Sequence, residues 1–460
     1  MSDSLRGADV SDEPASVMTS ERSVNDGLRS AEFIQEPPTG TPQAEKSSGF
    51  FAPLRVANFR RLIAGQSVSR LGDQFYFVAL PWLVLQVADS AAALALVTGV
   101  AAATLGVFSL VGGVLADRYG PRALMLGSDV ARLITISVLA ALALASTPPL
   151  WVLLLLSALL GIAGGLFYPA SSSMVPFLLP ANALQAGNSF EQLTLQTSNL
   201  IGPGVAGVVL GATKLALGFV ADAVSFLVSV ISLALIRVPK REKQAQGATD
   251  PATPRKGGTL RDLGEAYRFL RTSRFLFTLL VLSLVANFAA NGLFDVALPL
   301  LLKQWVGIGS GPQAFGIVIG GFGLGSILGA LVAGAASKLR HKALVAIVTL
   351  LPVALLIAVA PFLGGVLPLT VTFAMMGLVI ALSNVLFITL IQQAIPMEMM
   401  GRMMSFVMLG TLGGTPLSIA AYGVAASLVP NVAWLFIAGG AIFAVAGLVA
   451  LTQRVFWQAG

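Results

Sequence analysis

Apolar runs of 18 or more residues recur along this chain, with only short breaks, from Leu62 onward. At about 1.5 Å of rise per residue, each run is long enough as a helix to cross roughly 30 Å of hydrocarbon. Six cover residues 62–87, 94–115, 122–144, 150–173, 188–210 and 217–236, and six more cover 275–302, 314–336, 343–363, 367–392, 403–427 and 433–451. Hydrophobic residues make up 56% of the 460 and charged residues only 11%, so the apolar surface has to face lipid. The pattern predicts an all-α membrane protein with twelve transmembrane helices, six on either side of a charged middle.

The basic residues set how such a bundle is expected to lie. A formal charge of +7 would suggest nucleic acid if it formed a patch on a soluble face. Instead, 24 of the 28 Lys and Arg residues fall in segments that share one side of the membrane when the N-terminus is cytosolic. Lys214 and Lys303 fall on the other side, and Arg70 and Arg132 lie inside helices. Both termini are therefore expected in the cytosol, with the lipid bilayer as the partner of the basic loops and no role for nucleic acid.

The domain plan follows from these shifts. Residues 1–50, rich in Ser, Asp, Glu, Pro and Gly, read as a disordered cytosolic tail without the features of a signal peptide. Residues 51–236 form an N-terminal six-helix bundle and 275–460 a C-terminal bundle with a short tail. The linker, 237–274, is cytosolic and ends in an amphipathic surface helix in which Leu260, Leu263, Tyr267 and Leu270 recur at helical spacing.

The halves repeat each other. Val78-Ala79-Leu80-Pro81 recurs as Val296-Ala297-Leu298-Pro299, Arg122-Ala123-Leu124 as Lys342-Ala343-Leu344, and Pro180 with Ser189 as Pro396 with Ser405. Two parallel six-helix repeats around a central site are the plan of many secondary transporters.

Several chemistries are disfavoured. The chain has no cysteine and one histidine, His341, which leaves no disulfide, thiolate metal site or imidazole cluster. It also lacks a G-x-x-x-x-G-K-[ST] loop and a connected set of catalytic groups. No metal, no cofactor and no enzymatic activity are expected, and any uphill movement would draw on an ion gradient.

Gly113-Val114-Leu115-Ala116-Asp117-Arg118-Tyr119-Gly120-Pro121-Arg122 resembles the signature loop between helices 2 and 3 of the major facilitator superfamily. Glycines there permit close approach and a tight turn, and a carboxylate among arginines can form a charged latch. The second-half copy, 333–342, carries Ser337 in place of the acid. The stretch RRLIAGQSVSRLGDQFYFVALPWLVLQV, the pair Asp129 and Arg132, and Ala221-Asp222-Ala223-Val224-Ser225-Phe226 look like the branch that holds macrolide efflux pumps and enterobactin exporters. Gly202-Pro203-Gly204-Val205-Ala206-Gly207 is similar to the antiporter motif of drug exporters. The resemblance covers about 50–455 and implies proton-coupled export of amphipathic compounds across a bacterial-type inner membrane. It leaves siderophore export and lysophospholipid transport as alternatives within the family, and a channel or sensor outside it.

Ionisable residues inside the membrane are the candidate working parts. An ionised carboxylate at Asp73, roughly 17 Å into the first helix, costs at least about 2.5–3.5 kcal/mol. It is expected to couple protons or recognise a cation, or to pair with Arg70 one turn earlier. Asn287 and Asn291, four apart on helix 7, are candidate cavity groups or interhelical polar contacts. Asp295 is expected to sense protons or to be solvated, while Glu191 and Asp222 are expected in interfacial or structural places and not as substrate ligands. Asp117, Arg118, Asp129 and Arg132 are expected to form a gate network, or Asp129 and Arg132 a static pair. Gly161 with Gly165, and Gly321 with Gly325 and Gly329, read as packing faces. A single chain holding both repeats is expected to act as a monomer on a small-molecule substrate and protons.

Overall fold

The computed structural model describes residues 51–237, 274–335, 342–395 and 400–453. The readings of the N-terminal tail, the linker helix, His341 and Ser337 lie outside those residues. Among the described residues, twelve long helices carry the chain back and forth. They are α1 (Ala57–Ala88), α2 (Ala91–Tyr119), α3 (Pro121–Ala145), α4 (Leu150–Leu178), α5 (Leu184–Ala212) and α6 (Leu215–Leu235) in the first half. In the second half they are α7 (Phe275–Gly307), α8 (Gly309–Ala333), α9 (Ala343–Phe362), α10 (Val366–Ala394), α11 (Met400–Leu428) and α12 (Ala433–Thr452). The fold is all α, with two pseudo-symmetric six-helix bundles.

Local chemistry decides where the chain turns. Ser90 caps α2 by accepting from the Ala93 amide at 3.3 Å. Gly120 alone joins α2 to α3, with φ 86 and ψ 141, a backbone state open to glycine. Pro121 follows at the first position of α3, where its missing N–H has no helical partner to lose. Arg122 then donates to the carbonyl oxygens of Leu233 and Ala234, at 3.1 and 2.9 Å, closing the otherwise open C-terminal end of α6. Arg61 and Asn58 treat the Leu235 and Arg237 carbonyls in the same way. Arg55, Arg60, Arg61, Arg118, Arg122 and Arg237 thus share one face of the bundle, called here the basic face; the opposite one is the far face.

Glycine rows set the closest helix contacts. Gly161 and Gly165 of α4 lie against Ala101 and Leu105 of α2, and Gly321, Gly325 and Gly329 of α8 lie against Thr370, Ala374 and Leu378 of α10. The fourfold spacing matches on both sides, so backbone meets backbone along the contact. Beside the signature loop the packing residue is Gly112, which meets Gly165 and Pro169, while a side chain at Gly113, the first residue of the loop, would meet nothing.

The halves touch through contacts grouped toward the far face. Phe77 of α1 stacks at 5.8 Å on Phe315 of α8. Trp82, fully buried, lies over Gly311 where a side chain would otherwise stand. Gly204, Gly207 and Gly211 of α5 face Gly320, Gly316 and Gln313 of α8, and Gly423 of α11 faces Ala95 of α2. Lys303 and Asp89 form an ion pair across the same seam.

Gly207 and Gly316 are close enough that any added carbon would fall on the opposing backbone. Replacing Gly207 by valine is therefore expected to hold the far face open. Because the chain lacks cysteine, Ile419→Cys, buried where α11 meets Gly99 of α2, reports this directly. A membrane-impermeant maleimide supplied from the far face should label it several-fold faster in the Gly207→Val background. Equal labelling in both backgrounds would show that the glycine contact does not hold the seam.

Candidate functional site

A cavity of about 710 Å³ lies between the halves, lined from α1 through α8. Its walls include Arg70, Asp73, Arg132, Asp222, Asn291 and Asp295. The repeat governs this lining. Asp73, Tyr76 and Phe77 of α1 correspond, by the offset read from the VALP segments, to Asn291, Phe294 and Asp295 of α7, and all six line the one cavity.

The two intramembrane arginines are held away from the carboxylates nearest them in this cavity. Arg70 reaches α5, where it donates to the Glu191 carbonyl oxygen at 2.9 Å and to Glu191 Oε1 at 3.3 Å. Ser171 of α4 donates to the same carboxylate at 3.1 Å and accepts from Gln66 Nε2 at 3.0 Å, which ties α1, α4 and α5 together. The ion pair expected between Arg70 and Asp73 is therefore replaced by one with Glu191. Both side chains are largely buried, 12% and 17% exposed.

Arg132 is held differently. Nη1 donates to Asp129 Oδ1 at 3.5 Å, and Ser229 of α6 donates to Oδ2 at 2.6 Å. The guanidinium lies 4.4 Å from the ring centre of Phe167, 5.4 Å from that of Phe226 and 6.0 Å from that of Tyr168. Aromatic faces attract a desolvated cation by about 0.5–2 kcal/mol each, so the cage offsets part of the cost of placing Arg132 in the bilayer. Asp117 and Arg118 are exposed at the end of α2, and Arg118 lies over Tyr119 at 5.4 Å. The expected network joining them to Asp129 and Arg132 is not formed in this arrangement.

Three carboxylates remain. Asp73, Asp222 and Asp295 line the cavity with no Lys or Arg within ion-pair distance among the described residues. Asp222, expected in an interfacial or structural place and not as a cavity group, is 1% exposed and accepts from Ser225 Oγ at 3.3 Å. In the antiporter-like segment, Gly202 faces Gln74, Pro203 lines the cavity and Gly207 seals the seam with α8. Asn291 donates to Thr415 Oγ1 at 3.1 Å. Asn287 lies outside the central cavity, in a smaller pocket within the second half. Among the described residues no His, Cys, Asp and Glu side chains converge as a metal site would require.

Residues 62–415 match the family model of the Major Facilitator Superfamily. The chain belongs to this family. Among the relatives of this major facilitator, the uncharacterized MFS-type transporter YfiS of Bacillus subtilis is 26% identical over 399 residues, covering 85% of this chain and 92% of its own. Macrolide efflux protein A of Streptococcus pyogenes is 24% identical, covering 75% of this chain and 84% of its own. The enterobactin exporter EntS of Salmonella typhimurium is 25% identical, covering 75% and 80%. A solved POT family transporter in complex with 5-aminolevulinic acid superposes with a TM-score of 0.66 at 16% identity, covering 88% of this chain and 97% of that one, and shows the shared fold.

Sequence reasoning weighed Glu191 without finding its partner and passed over the other residues that position the site. Glu191, Ser171 and Ser229 act on partners 100 or more positions away, or on another helix, and no local spacing marks them. Ser418 of α11 is the clearest example. Its hydroxyl accepts from the Gly292 amide at 2.8 Å and donates to the Phe288 carbonyl oxygen, which inserts it into what would be a helical bond of α7. Tyr422 donates to the next carbonyl, Ala289, at 2.9 Å, and its ring occupies the space left by the missing side chain of Gly292. The following turn, Leu293–Ala297, widens to a π-helix. Pro299 stands just beyond it, where a proline ring would crowd the Asp295 carbonyl in a regular helix. This widened turn carries Asp295.

Ser418→Ala leaves the Gly292 N–H and the Phe288 carbonyl without their bridge, a loss of about 1–3 kcal/mol for a buried unsatisfied group. A lower thermal unfolding midpoint in detergent is expected, with little change for the exposed Ser427→Ala. An unchanged midpoint in Ser418→Ala would show that α7 closes the bond on its own.

Proposed function

We propose that this transporter exports small amphipathic compounds in exchange for protons, by alternating access across a bacterial-type inner membrane. The reading rests on one observation: Asp73, Asp222 and Asp295 share a cavity while Arg70 and Arg132 are engaged by Glu191 and Asp129. A carboxylate held in the bilayer without a cation is destabilised by about 2.5–3.5 kcal/mol or more. Binding a proton, or a cationic part of a substrate, relieves that cost, and the two compete for the same groups. Such competition is the physical basis of exchange. Asp73 is assigned the coupling role, with Asp295 facing it from the other half.

The basic face is assigned to the cytosol. Closure at the far face then leaves the central cavity serving the cytosolic side, the loading state of an exporter. The macrolide and enterobactin relatives support export and a bulky substrate. A siderophore is the second reading, supported by the enterobactin exporter among the relatives. The two six-helix bundles are assigned as the domains, 51–236 and 275–460, joined by the cytosolic linker, and one chain as the working unit. No catalytic chemistry is assigned.

The test is transport of ethidium and of erythromycin into inverted membrane vesicles. Uptake is expected to collapse with a protonophore, and Asp73→Asn is expected to lower proton-driven uptake at least tenfold, by loss of the titrating group, at unchanged protein level. Retention of both uptake and protonophore sensitivity in Asp73→Asn would overturn the coupling role.

A further inference from the structure

A second cavity, of about 170 Å³, lies inside the second half among α7, α9, α10 and α12. It carries no charged residue. Its polar groups are Ser283 and Asn287 of α7 and Ser383 and Asn384 of α10, set among Leu350, Phe387, Phe443 and other apolar side chains. Three of the four are engaged within the protein. Asn287 Nδ2 donates to the Ser283 carbonyl oxygen at 2.8 Å and approaches Ser283 Oγ at 3.5 Å, and Ser383 Oγ donates to the Val379 carbonyl oxygen at 2.8 Å and lies 2.6 Å from Thr349 Oγ1. The Asn384 amide, with two donors and an acceptor, has no hydrogen-bond partner among the described residues.

Asn384 is exposed at this pocket, so its amide is free to bond a ligand that also covers the apolar walls. The volume limits what that partner can belong to: a cavity of about 150 Å³ takes one benzene-sized ring. Uncharged donors and acceptors over apolar and aromatic walls suit a ring bearing hydroxyl or carbonyl groups, and disfavour a bare cation or anion. Position links the pocket to the central cavity. Asn287 and Ala290 line the pocket, while Asn291, Phe294 and Asp295, the next residues along α7, line the central cavity. The step from Asn287 to Asp295 is about 12 Å along the helix, within the length of a large amphipathic molecule.

We infer that this pocket is the uncharged arm of a two-part substrate site, holding a neutral hydroxylated or carbonyl-bearing ring on Asn384 and Asn287 while the rest of the molecule extends along α7 to the carboxylates. The inference rests on the central cavity being the substrate path. It separates two duties: substrate choice at the amides of the second half, and charge exchange at Asp73, Asp222 and Asp295.

The cysteine-free sequence allows a direct test on the full chain in membranes. Asn384→Cys is labelled with N-ethylmaleimide in the presence of erythromycin, which bears hydroxylated rings, or of ethidium, a cation without them. Erythromycin is expected to slow labelling about tenfold at saturation, and ethidium to leave it unchanged. In a second variant, Asn384→Leu, the KM for erythromycin transport should rise roughly tenfold, the scale of one lost hydrogen bond, with ethidium transport and its protonophore sensitivity retained. Labelling indifferent to erythromycin, or equal loss of both probes in Asn384→Leu, would overturn the pocket assignment. The labelling arm needs no transport. Protection of the thiol in Asn384→Cys, combined with protonophore-insensitive uptake, would therefore sink the coupling reading and leave the pocket standing.

Discussion

Hydrocarbon offers no partner to an amide, a carbonyl or a charged side chain, and the arrangement of polar groups in this protein follows from that constraint. Helices satisfy the backbone except at their ends and at their irregular turns. At the basic face, Asn58, Arg61 and Arg122 complete the carbonyls that α6 leaves open. At the widened turn of α7, Ser418 and Tyr422 meet the carbonyls of Phe288 and Ala289. In both places a side chain from another helix meets the open carbonyls, so these irregular ends and turns depend on tertiary packing.

The same constraint sorts the ionisable groups. Arg70 with Glu191 and Arg132 with Asp129 are partnered, the first through Ser171 and Gln66 as well, the second through Ser229 and three aromatic rings. Breaking such a buried pair strands a charge in low dielectric, which is why these groups act as fixed parts of the scaffold. Asp73, Asp222 and Asp295 differ because the protein gives them no cation among the described residues. Fixed pairs and uncompensated acids in one cavity give it both a rigid frame and groups whose charge state can change.

The fold was readable from the sequence to a large extent because its determinants are local or periodic. Apolar run length gives the helices, glycines four apart give the α4 and α8 packing faces, and Gly120-Pro121 gives the one-residue turn between α2 and α3. The repeat also carried weight: matching VALP segments placed Asp73 opposite Asn291 and Phe77 opposite Asp295, and all four line one cavity. Pairings were not readable. Spacing along α1 suggested Arg70 with Asp73, but an i,i+3 relation states only that two side chains share a face. Glu191, 121 positions away, offers Arg70 both a carbonyl and a carboxylate, and that competition is settled in three dimensions. Asn287 shows the reverse error: it shares a helix face with Asn291, yet the pocket it lines is walled by α9, α10 and α12.

Pseudo-symmetry also explains why the halves can differ in chemistry while matching in shape. The repeat keeps backbone positions, as the buried Val78-Ala79-Leu80 and Val296-Ala297-Leu298 show on α1 and α7. Side chains at those positions are free to diverge: where α1 carries Asp73, α7 carries Asn291, and where α1 carries Phe77, α7 carries Asp295. One wall of the cavity therefore offers a carboxylate at the deeper turn of one repeat, and the other wall offers it one turn further toward the far face. Phe77, packed on Phe315 at the seam, belongs to the closure; Asp295, its counterpart, belongs to the cavity and stands on a turn that Ser418 and Tyr422 of α11 hold open. Since α11 also meets α2 across the seam at Gly423 and Ala95, one helix contacts both the far-face closure and the turn that carries a cavity carboxylate. A movement that separates the halves at α2 and α11 therefore bears on the turn that holds Asp295, as does one that breaks the Lys303–Asp89 pair at the end of α7 itself.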